Sequence, residues 1–182
     1  MSIVLVGSTS GSITLQEPAV AGTTVLTLPA VTGTVLTTTS PKAGNVIQVV
    51  TATYSVETQN NTSTFADTGL SASITPTSSS SKILILISHP SNFKNASNAS
   101  NDIGMQLVRG ATNISSFGRS LLYTGSVLNN YGSISYSYLD SPATTSSTTY
   151  KTQFKNEDSN TAGVAVNVGS SPSTITLLEI AA

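Results

Sequence analysis

Hydrophobic and polar residues alternate along much of the chain with the period of two that is typical of half-buried β-strands. The alternation is clear at residues 133–138, 150–155 and 164–168, where apolar and polar side chains follow each other in turn. No stretch shows the 3.6-residue period of an amphipathic helix. The pattern therefore predicts an all-β protein whose strands have one core face and one solvated face.

Two runs depart from this alternation and are apolar on both sides. Residues 83–87 read Ile-Leu-Ile-Leu-Ile, and residues 174–178 read Thr-Ile-Thr-Leu-Leu. A strand that is apolar on both faces is expected in the centre of a fold or against another subunit. We therefore predict an oligomer interface formed by Ile83, Ile85, Ile87 and Leu177.

A second pattern covers the N-terminal quarter of the chain. Gly11, Gly22, Gly33 and Gly44 stand eleven residues apart, and short β-prone runs lie between them at 12–15, 24–28 and 34–37. Glycine permits the positive φ of a tight turn, so the period indicates turns between short strands. Such strands bury too little apolar surface to be stable alone. We expect residues 1–44 to form an arm that packs on copies of itself or on another protein, or else a meander on the main domain of the same chain.

The remainder, residues 45–182, is predicted to form a single head domain. Further strands are expected at 46–54, 71–75, 103–109 and near 121–123, with turns at 67–69, 140–142 and 156–160. About eight strands at this spacing, without helices, predict an antiparallel β-sandwich of the jelly-roll type. The chain is thus interpreted as a repeat arm followed by a β-sandwich.

Composition narrows the possible partners. Only 8% of the residues are Asp, Glu, Lys or Arg, against roughly 25% in an average chain, whereas Ser and Thr make up about a third. The formal net charge is −1 and the seven basic residues are scattered, which does not favour a nucleic-acid surface. No apolar stretch approaches the ~18 residues of a membrane-spanning helix, so we expect no membrane insertion. Residues 1–7 lack the pattern of a signal peptide, and we expect release by lysis rather than by secretion.

Residue types suited to catalysis or metal binding are scarce. Cysteine is absent and His89 is the only histidine, so a nucleophile–base pair would depend on His89, which we interpret as a polar residue at a strand end. Glu157 and Asp158 are interpreted as a hairpin tip, because residues 156–160 lack the ligand spacing of a calcium loop. The sequence therefore predicts no catalytic residue, no metal site and no cofactor.

One polar segment is suited to contact with carbohydrate. Residues 91–102 read SNFKNASNASND and are rich in amide side chains, which both donate and accept hydrogen bonds. Tyr131 follows two asparagines and is interpreted either as part of a tight turn or as an aromatic platform for a sugar ring. The predicted receptor contacts, all assigned to connecting loops, are Asn92, Asn95, Asn98 and Tyr131.

Three segments resemble proteins of bacteriophage particles. Residues 11–39, GSITLQEPAVAGTTVLTLPAVTGTVLTTT, are similar to a repeat-like segment of phage and prophage virion proteins, especially those of marine and cyanobacterial phages. Residues 51–87 and 174–180 are similar to the distal domain of the same fibre-like proteins. The resemblance implies a homotrimer, an N-terminal segment that docks on the particle or forms a stem, and a β-sandwich that points outward.

Together these observations give a functional hypothesis. We expect a non-enzymatic virion structural protein of the tail-fibre or spike type, assembled in the host cytoplasm as a homotrimer. It would contact other virion proteins through residues 1–44 and a host-surface glycan through loops of the head. A capsid decoration protein is the alternative, since the same sandwich would clamp neighbouring capsomers. A Thr-rich surface-binding solenoid is a further alternative, but the eleven-residue repeat stops near Gly44.

Overall fold

The structure is a computed structural model that describes residues 3–6, 9–15, 42–94, 102–118, 126–157 and 163–182. The chain divides into two compact units, Met1–Val35 and Leu36–Ala182. In the first unit, β1 (Ile3–Val6) and β2 (Ser12–Leu15) form an antiparallel pair, which confirms the strand expected at 12–15. The strands expected at 24–28 and 34–37 lie outside the described residues, and the boundary expected after Gly44 stays a prediction.

The second unit is built of strands, as predicted. Its described strands are β3 (Val46–Tyr54), β4 (Thr58–Asn60), β5 (Ala66–Ile74), β6 (Lys82–Lys94), β7 (Ile103–Arg109), β8 (Thr112–Phe117), β9 (Asn130–Asp140), β10 (Thr148–Asn156), β11 (Val164–Val166) and β12 (Ser173–Ile180). A single 3-10 turn at Val168–Ser170 is the one helical element in the described ranges. The strand expected near 121–123 lies outside them.

The strands form two antiparallel sheets in the order of a jelly roll. The four-stranded sheet is β5-β10-β7-β8. In the six-stranded sheet, β6 pairs with β9 along one edge. Along its other edge β6 pairs first with β12 and then with β11. β3 pairs with the far edge of β12, and β4 pairs with the far edge of β11. When the short β4 and β11 are left out, the remaining eight strands of this unit can be counted from β3 as the first to β12 as the eighth. The six-stranded sheet then has the order first, eighth, third, sixth, and the four-stranded sheet has the order second, seventh, fourth, fifth. This is the arrangement of two Greek keys, and it confirms the predicted jelly roll.

The core lies between the two sheets. Side chains that point inward from both sheets are buried, among them Leu70, Ile85, Leu107, Phe154 and Leu177. Alternate residues of a strand point to opposite faces, so each strand gives every second side chain to the core. Burial of these groups contributes about 25 cal/mol for each Å² of apolar surface removed from water.

The turn predicted at 67–69 is instead part of β5. Gly69 has a φ of 90° and lies where the pairing of β5 with β10 shifts register. The ring of Tyr54 packs over this glycine so closely that a Cβ would collide with it. Thr68, beside it, points into the core and bonds to the hydroxyl of Thr152 at 2.6 Å. The glycine therefore serves a β-bulge, which local sequence does not distinguish from a turn.

The two ends of the sandwich are distinguishable. At one end the Gly44 N–H donates to the Ala181 carbonyl at 2.8 Å, close to where β12 pairs with the first residue of β6. Arg109 and Asp140 form an ion pair of 2.8 Å at the same end. The opposite end holds the last residues of β6 and β10 and the first residues of β7 and β9.

Candidate functional site

The predicted interface residues Ile83, Ile85, Ile87 and Leu177 lie in the core of a single chain. None of them is more than 3% exposed. This corrects the prediction, because the facing sheet of the same chain already covers the inward side of β6 and leaves no surface there for another copy. β6 is apolar on both sides, as expected, but its open side is the one formed by Leu84 and Leu86.

An aliphatic row crosses the outer side of the six-stranded sheet. The pairing of β9, β6, β12 and β3 places four residues side by side, namely Leu139, Leu84, Leu178 and Val49. At the two ends of this aliphatic row, Leu139 is 51% and Val49 is 56% exposed. Leu86, two residues further along β6, is 42% exposed. Large contiguous patches of exposed apolar surface are typical of protein interaction sites.

The surroundings of the aliphatic row are apolar or hydroxyl-bearing. Val46 and Ile180 pair with each other and continue the apolar surface towards the end with Gly44. In the other direction, the hydroxyls of Thr51 and Thr176 lie 3.2 Å apart. Lys82, at the border, is the one charged residue that the described strands β9, β6, β12 and β3 place on this side. We call this side of these four strands the outer apolar face.

The outer side of the four-stranded sheet is polar and internally bonded. Gln153 Nε2 donates to Asp67 at 2.7 Å, and Gln106 Nε2 donates to Gln153 Oε1 at 2.7 Å. Asn113 Nδ2 donates to Gln106 Oε1 at 2.8 Å, so that the hydrogen bonds cross all four strands. Burial acts to raise the pKa of Asp67, but hydrogen bonds from Lys151 and Gln153 outweigh it and lower that pKa. We call this set of residues the polar ladder.

Of the predicted receptor contacts, Asn92 does not lie in a loop. It belongs to β6 and is 1% exposed. Its Nδ2 donates to the carbonyl of His89 at 3.2 Å, while its Oδ1 is buried without a hydrogen-bond partner in the described part of the chain. β6 extends to Lys94 because β9 and β11 pair with its last residues. Asn92 is therefore corrected from a loop contact to a buried strand residue.

Tyr131 is exposed, but it lies in β9 and not in a tight turn. Its side chain is 62% exposed, and its ring centroid lies 4.9 Å from that of Phe93 on the paired strand. The two rings lie at the end of the six-stranded sheet away from Gly44. Asn95 and Asn98 fall outside the described residues, so their contact with a receptor stays a prediction.

His89 belongs to a buried chain of hydrogen bonds. Its Nδ1 lies 2.7 Å from Ser173 Oγ, and its Nε2 lies 3.1 Å from Thr152 Oγ1. The Ser173 hydroxyl donates to Asn167 Oδ1 and therefore accepts from the Nδ1–H of the imidazole. Thr152 then donates to Nε2 and accepts from the hydroxyl of Thr68. With a neutral imidazole, every donor and acceptor in this series of hydrogen bonds therefore has a partner.

The hydrogen-bonded pair Ser173 and His89 is buried and lies out of reach of a substrate. Ser173 and His89 are both 0% exposed. Burial lowers the pKa of His89 to about 4, because the imidazolium would lose its hydration. His89 lies inside β6 and not at a strand end as predicted. Its position continues the inward alternation of Ile83, Ile85 and Ile87, and that parity is the sequence signal for its burial.

Among the described residues, no group of three or more His, Asp and Glu side chains is arranged to hold a metal ion. In the same ranges, no helix has the length and apolar character needed to cross a membrane.

Comparison with known proteins finds a likeness in structure at low sequence identity. No protein-family model matches the sequence, and no curated protein matches it. The chain is similar to a solved structure described as the crystal structure of infectious bursal disease virus VP2 subviral particle, with a TM-score of 0.37 and 13% sequence identity. The similarity covers 74% of this chain and 38% of that chain, so this chain spans well under half the length of the other.

Proposed function

We propose that this chain is a non-enzymatic structural component of a bacteriophage particle, of the tail-fibre or spike type, which works as a homotrimer and contacts the host surface. The observation that carries the proposal is the outer apolar face, which a single copy leaves open to water. The threefold symmetry and the place on the particle rest on the resemblance of residues 11–39, 51–87 and 174–180 to phage fibre-like proteins.

The outer apolar face supports association because covering it is favourable. Removal of apolar surface from water is worth about 25 cal/mol per Å², and the face carries no charge that must be desolvated apart from Lys82 at its border. A second copy of the same face is apolar in the same way, with its single charge at the border, and three such faces can also pack around a threefold axis. The polar ladder on the other sheet has its hydrogen bonds already made. The copies therefore associate through the six-stranded sheet and leave the four-stranded sheet in water.

The fold suits such a role. Jelly rolls build virus capsids and also serve as lectin domains, although a fold alone does not select one function. In the proposed arrangement residues 1–44 attach to the particle. The end of the head away from Gly44, where Tyr131 lies, then faces the host.

Imaging of intact particles tests this proposal. We expect the full chain in trimeric projections from the tail. A chain that lacks residues 1–44 should unfold at nearly the same temperature as the full chain and be missing from the particles. Density spread over the capsid shell would favour the decoration alternative. Normal incorporation of the truncated chain would contradict the attachment role of residues 1–44.

A further inference from the structure

A cleft of about 220 Å³ opens at the end of the four-stranded sheet away from Gly44. Its apolar walls and polar groups are Phe65, Met105, Phe117, Ser116, Lys155 and Glu157. Asn92 and Tyr131, the two predicted receptor contacts that the structure describes, are not among these residues. The cleft lies at the end of the head that the proposed function turns towards the host.

The two charged residues of the described lining are held in fixed positions. Lys155 Nζ lies 3.0 Å from Glu157 Oε2, and the two side chains are only 21% and 14% exposed. The backbone N–H of Glu157 donates to the carbonyl of Asp102 at 3.1 Å. The carboxylate lies against Gly104, where a Cβ would collide with Glu157 Oε1. A glycine at this strand position therefore leaves the space that the carboxylate occupies, and the ion pair is ordered before any ligand arrives.

The aromatic walls of the cleft are also constrained. The ring of Phe117 stacks on that of Tyr136 with a centroid separation of 4.4 Å and an interplanar angle of 5°. Lys155 Nζ lies 5.0 Å from the centroid of Phe65, which is a cation–π contact. Phe117 is only 6% exposed, so of these two rings the half-buried Phe65 is the one that a ligand can reach.

The combination of groups selects an uncharged ligand with several hydroxyls. Lys155 and Glu157 neutralise each other, so the described lining of the cleft carries no net charge with which to attract an ion. Carboxylate oxygens accept hydrogen bonds from hydroxyls, and an ammonium group donates them. Aromatic rings pack against the apolar C–H face of a sugar ring. The volume lies below the roughly 300–1,000 Å³ of sites for drug-sized ligands and suits one sugar residue.

We infer that this cleft binds one residue of a neutral saccharide. Glu157 accepts hydrogen bonds from the sugar hydroxyls, Lys155 donates to one of them, and Phe65 contacts the apolar side of the ring. The inference rests on the proposed host contact, for which it names a ligand class and a site. Binding to one cleft is weak, because water competes for every hydrogen bond. Several copies in one oligomer raise the avidity.

Titration of the isotopically labelled full chain, followed by NMR, tests the inference. The probes are the methyl glycosides of glucose, galactose, mannose and N-acetylglucosamine. We expect at least one of them, at millimolar concentration, to shift the amide signals of Gly104, Ser116 and Glu157. Glu157→Gln keeps the shape of the side chain and removes its charge, and should weaken binding about tenfold or more. Phe65→Leu should weaken binding in the same direction.

Lys151→Met is the matched control. It removes an ion pair of similar length, 2.9 Å from Lys151 Nζ to Asp67, from the same strand but outside the cleft. Affinity for the glycosides should be unchanged in this variant, and thermal unfolding should show that all three variants keep the fold. Absence of binding by all four glycosides overturns the inference. Binding that neither Glu157→Gln nor Phe65→Leu weakens also overturns it, as does tighter binding of glucuronate than of the neutral glycosides.

Failure of this inference and failure of the proposed function are read from separate experiments. Particles that carry the chain normally, although the cleft binds no glycoside, would contradict the saccharide site alone. A chain that binds glycosides through the cleft but is absent from particles would contradict the proposed function.

Discussion

The two outer sides of the sandwich belong to one chain, yet their surfaces differ in kind. On the four-stranded sheet, the polar ladder joins four strands by hydrogen bonds of 2.7–2.8 Å. On the six-stranded sheet, the aliphatic row also crosses four strands, and it leaves Val49 56% exposed. A surface whose polar groups bond to one another is stable in water, whereas an exposed apolar surface gains free energy when it is covered. In the proposed assembly, the four-stranded sheet therefore stays in water and the six-stranded sheet meets a partner.

The largest expected effect is a difference in the free energy of unfolding between substitutions on the two sides of β6. Ile85→Ala should lower the free energy of unfolding by about 2–5 kcal/mol, because this side chain is 0% exposed and its removal leaves a cavity. Leu86→Ala, one residue away on the outer apolar face, should cost less. Its cost should also vary with protein concentration, because it acts on association.

Denaturant unfolding at several protein concentrations measures both effects. An equal loss for Leu86→Ala and Ile85→Ala at every concentration would mean that the same chain covers both sides of β6, and the comparison of the two outer sides would fail.

Acid should weaken the interior and leave the outer apolar face nearly unaffected. The folded pKa of His89 is lowered from 6.5 to about 4, so the unfolded chain binds the proton more readily. The stability from this group is complete above the unfolded pKa and declines as the pH falls towards the folded one, by about 3 kcal/mol in total. The lowered pKa of Asp67 adds a loss on acidification.

The free energy of unfolding, measured at about pH 7 and about pH 4.5, tests this for the wild type and for His89→Asn. The variant keeps Asp67 and should lose less stability than the wild type between the two pH values. Identical losses would show that His89 is not the group responsible. The oligomer mass should stay the same at both pH values.

The polar ladder should give the smallest effect. Gln106→Leu removes one donor and one acceptor from the ladder, and we expect a loss of about 1 kcal/mol with no change in oligomer mass. Lys151→Met should change stability by less than about 1 kcal/mol, because its ion pair with Asp67 is at the surface. Light scattering and denaturant unfolding check both variants. A change of mass in either one would place the four-stranded sheet in the interface.

Much of the fold can be predicted from the alternation of apolar and polar residues. The run 83–87 by itself, however, does not show which side of β6 points to the core. Five successive apolar residues carry no mark of which side meets the core. The polar neighbours carry that mark, since Lys82 and Ser88 share a side with Leu84 and Leu86 and indicate the outer side. The interface was instead predicted at Ile83, Ile85 and Ile87, which belong to the core.

The position of Asn92 and the composition of the cleft depend on contacts between distant strands. The pairing of β6 with β9 shifts register between His89 and Asn92, where Pro90 is compatible either with such a bulge or with the end of the strand. Phe65, Ser116 and Glu157 are far apart in the sequence and meet because β10 pairs with both β5 and β7, and β7 pairs in turn with β8. No local spacing encodes such a meeting.

The central claim is that copies of this chain associate through the outer apolar face, and the mass in dilute solution tests it most directly. Light scattering should give the wild type three times the chain mass of 18.6 kDa. The double variant Leu86→Lys/Leu139→Lys places charge on that face and should give 18.6 kDa. The control Ser73→Lys/Thr112→Lys, at exposed positions of the four-stranded sheet, should keep the wild-type mass. A wild-type monomer of 18.6 kDa, or a Leu86→Lys/Leu139→Lys variant with the wild-type mass, would contradict the account.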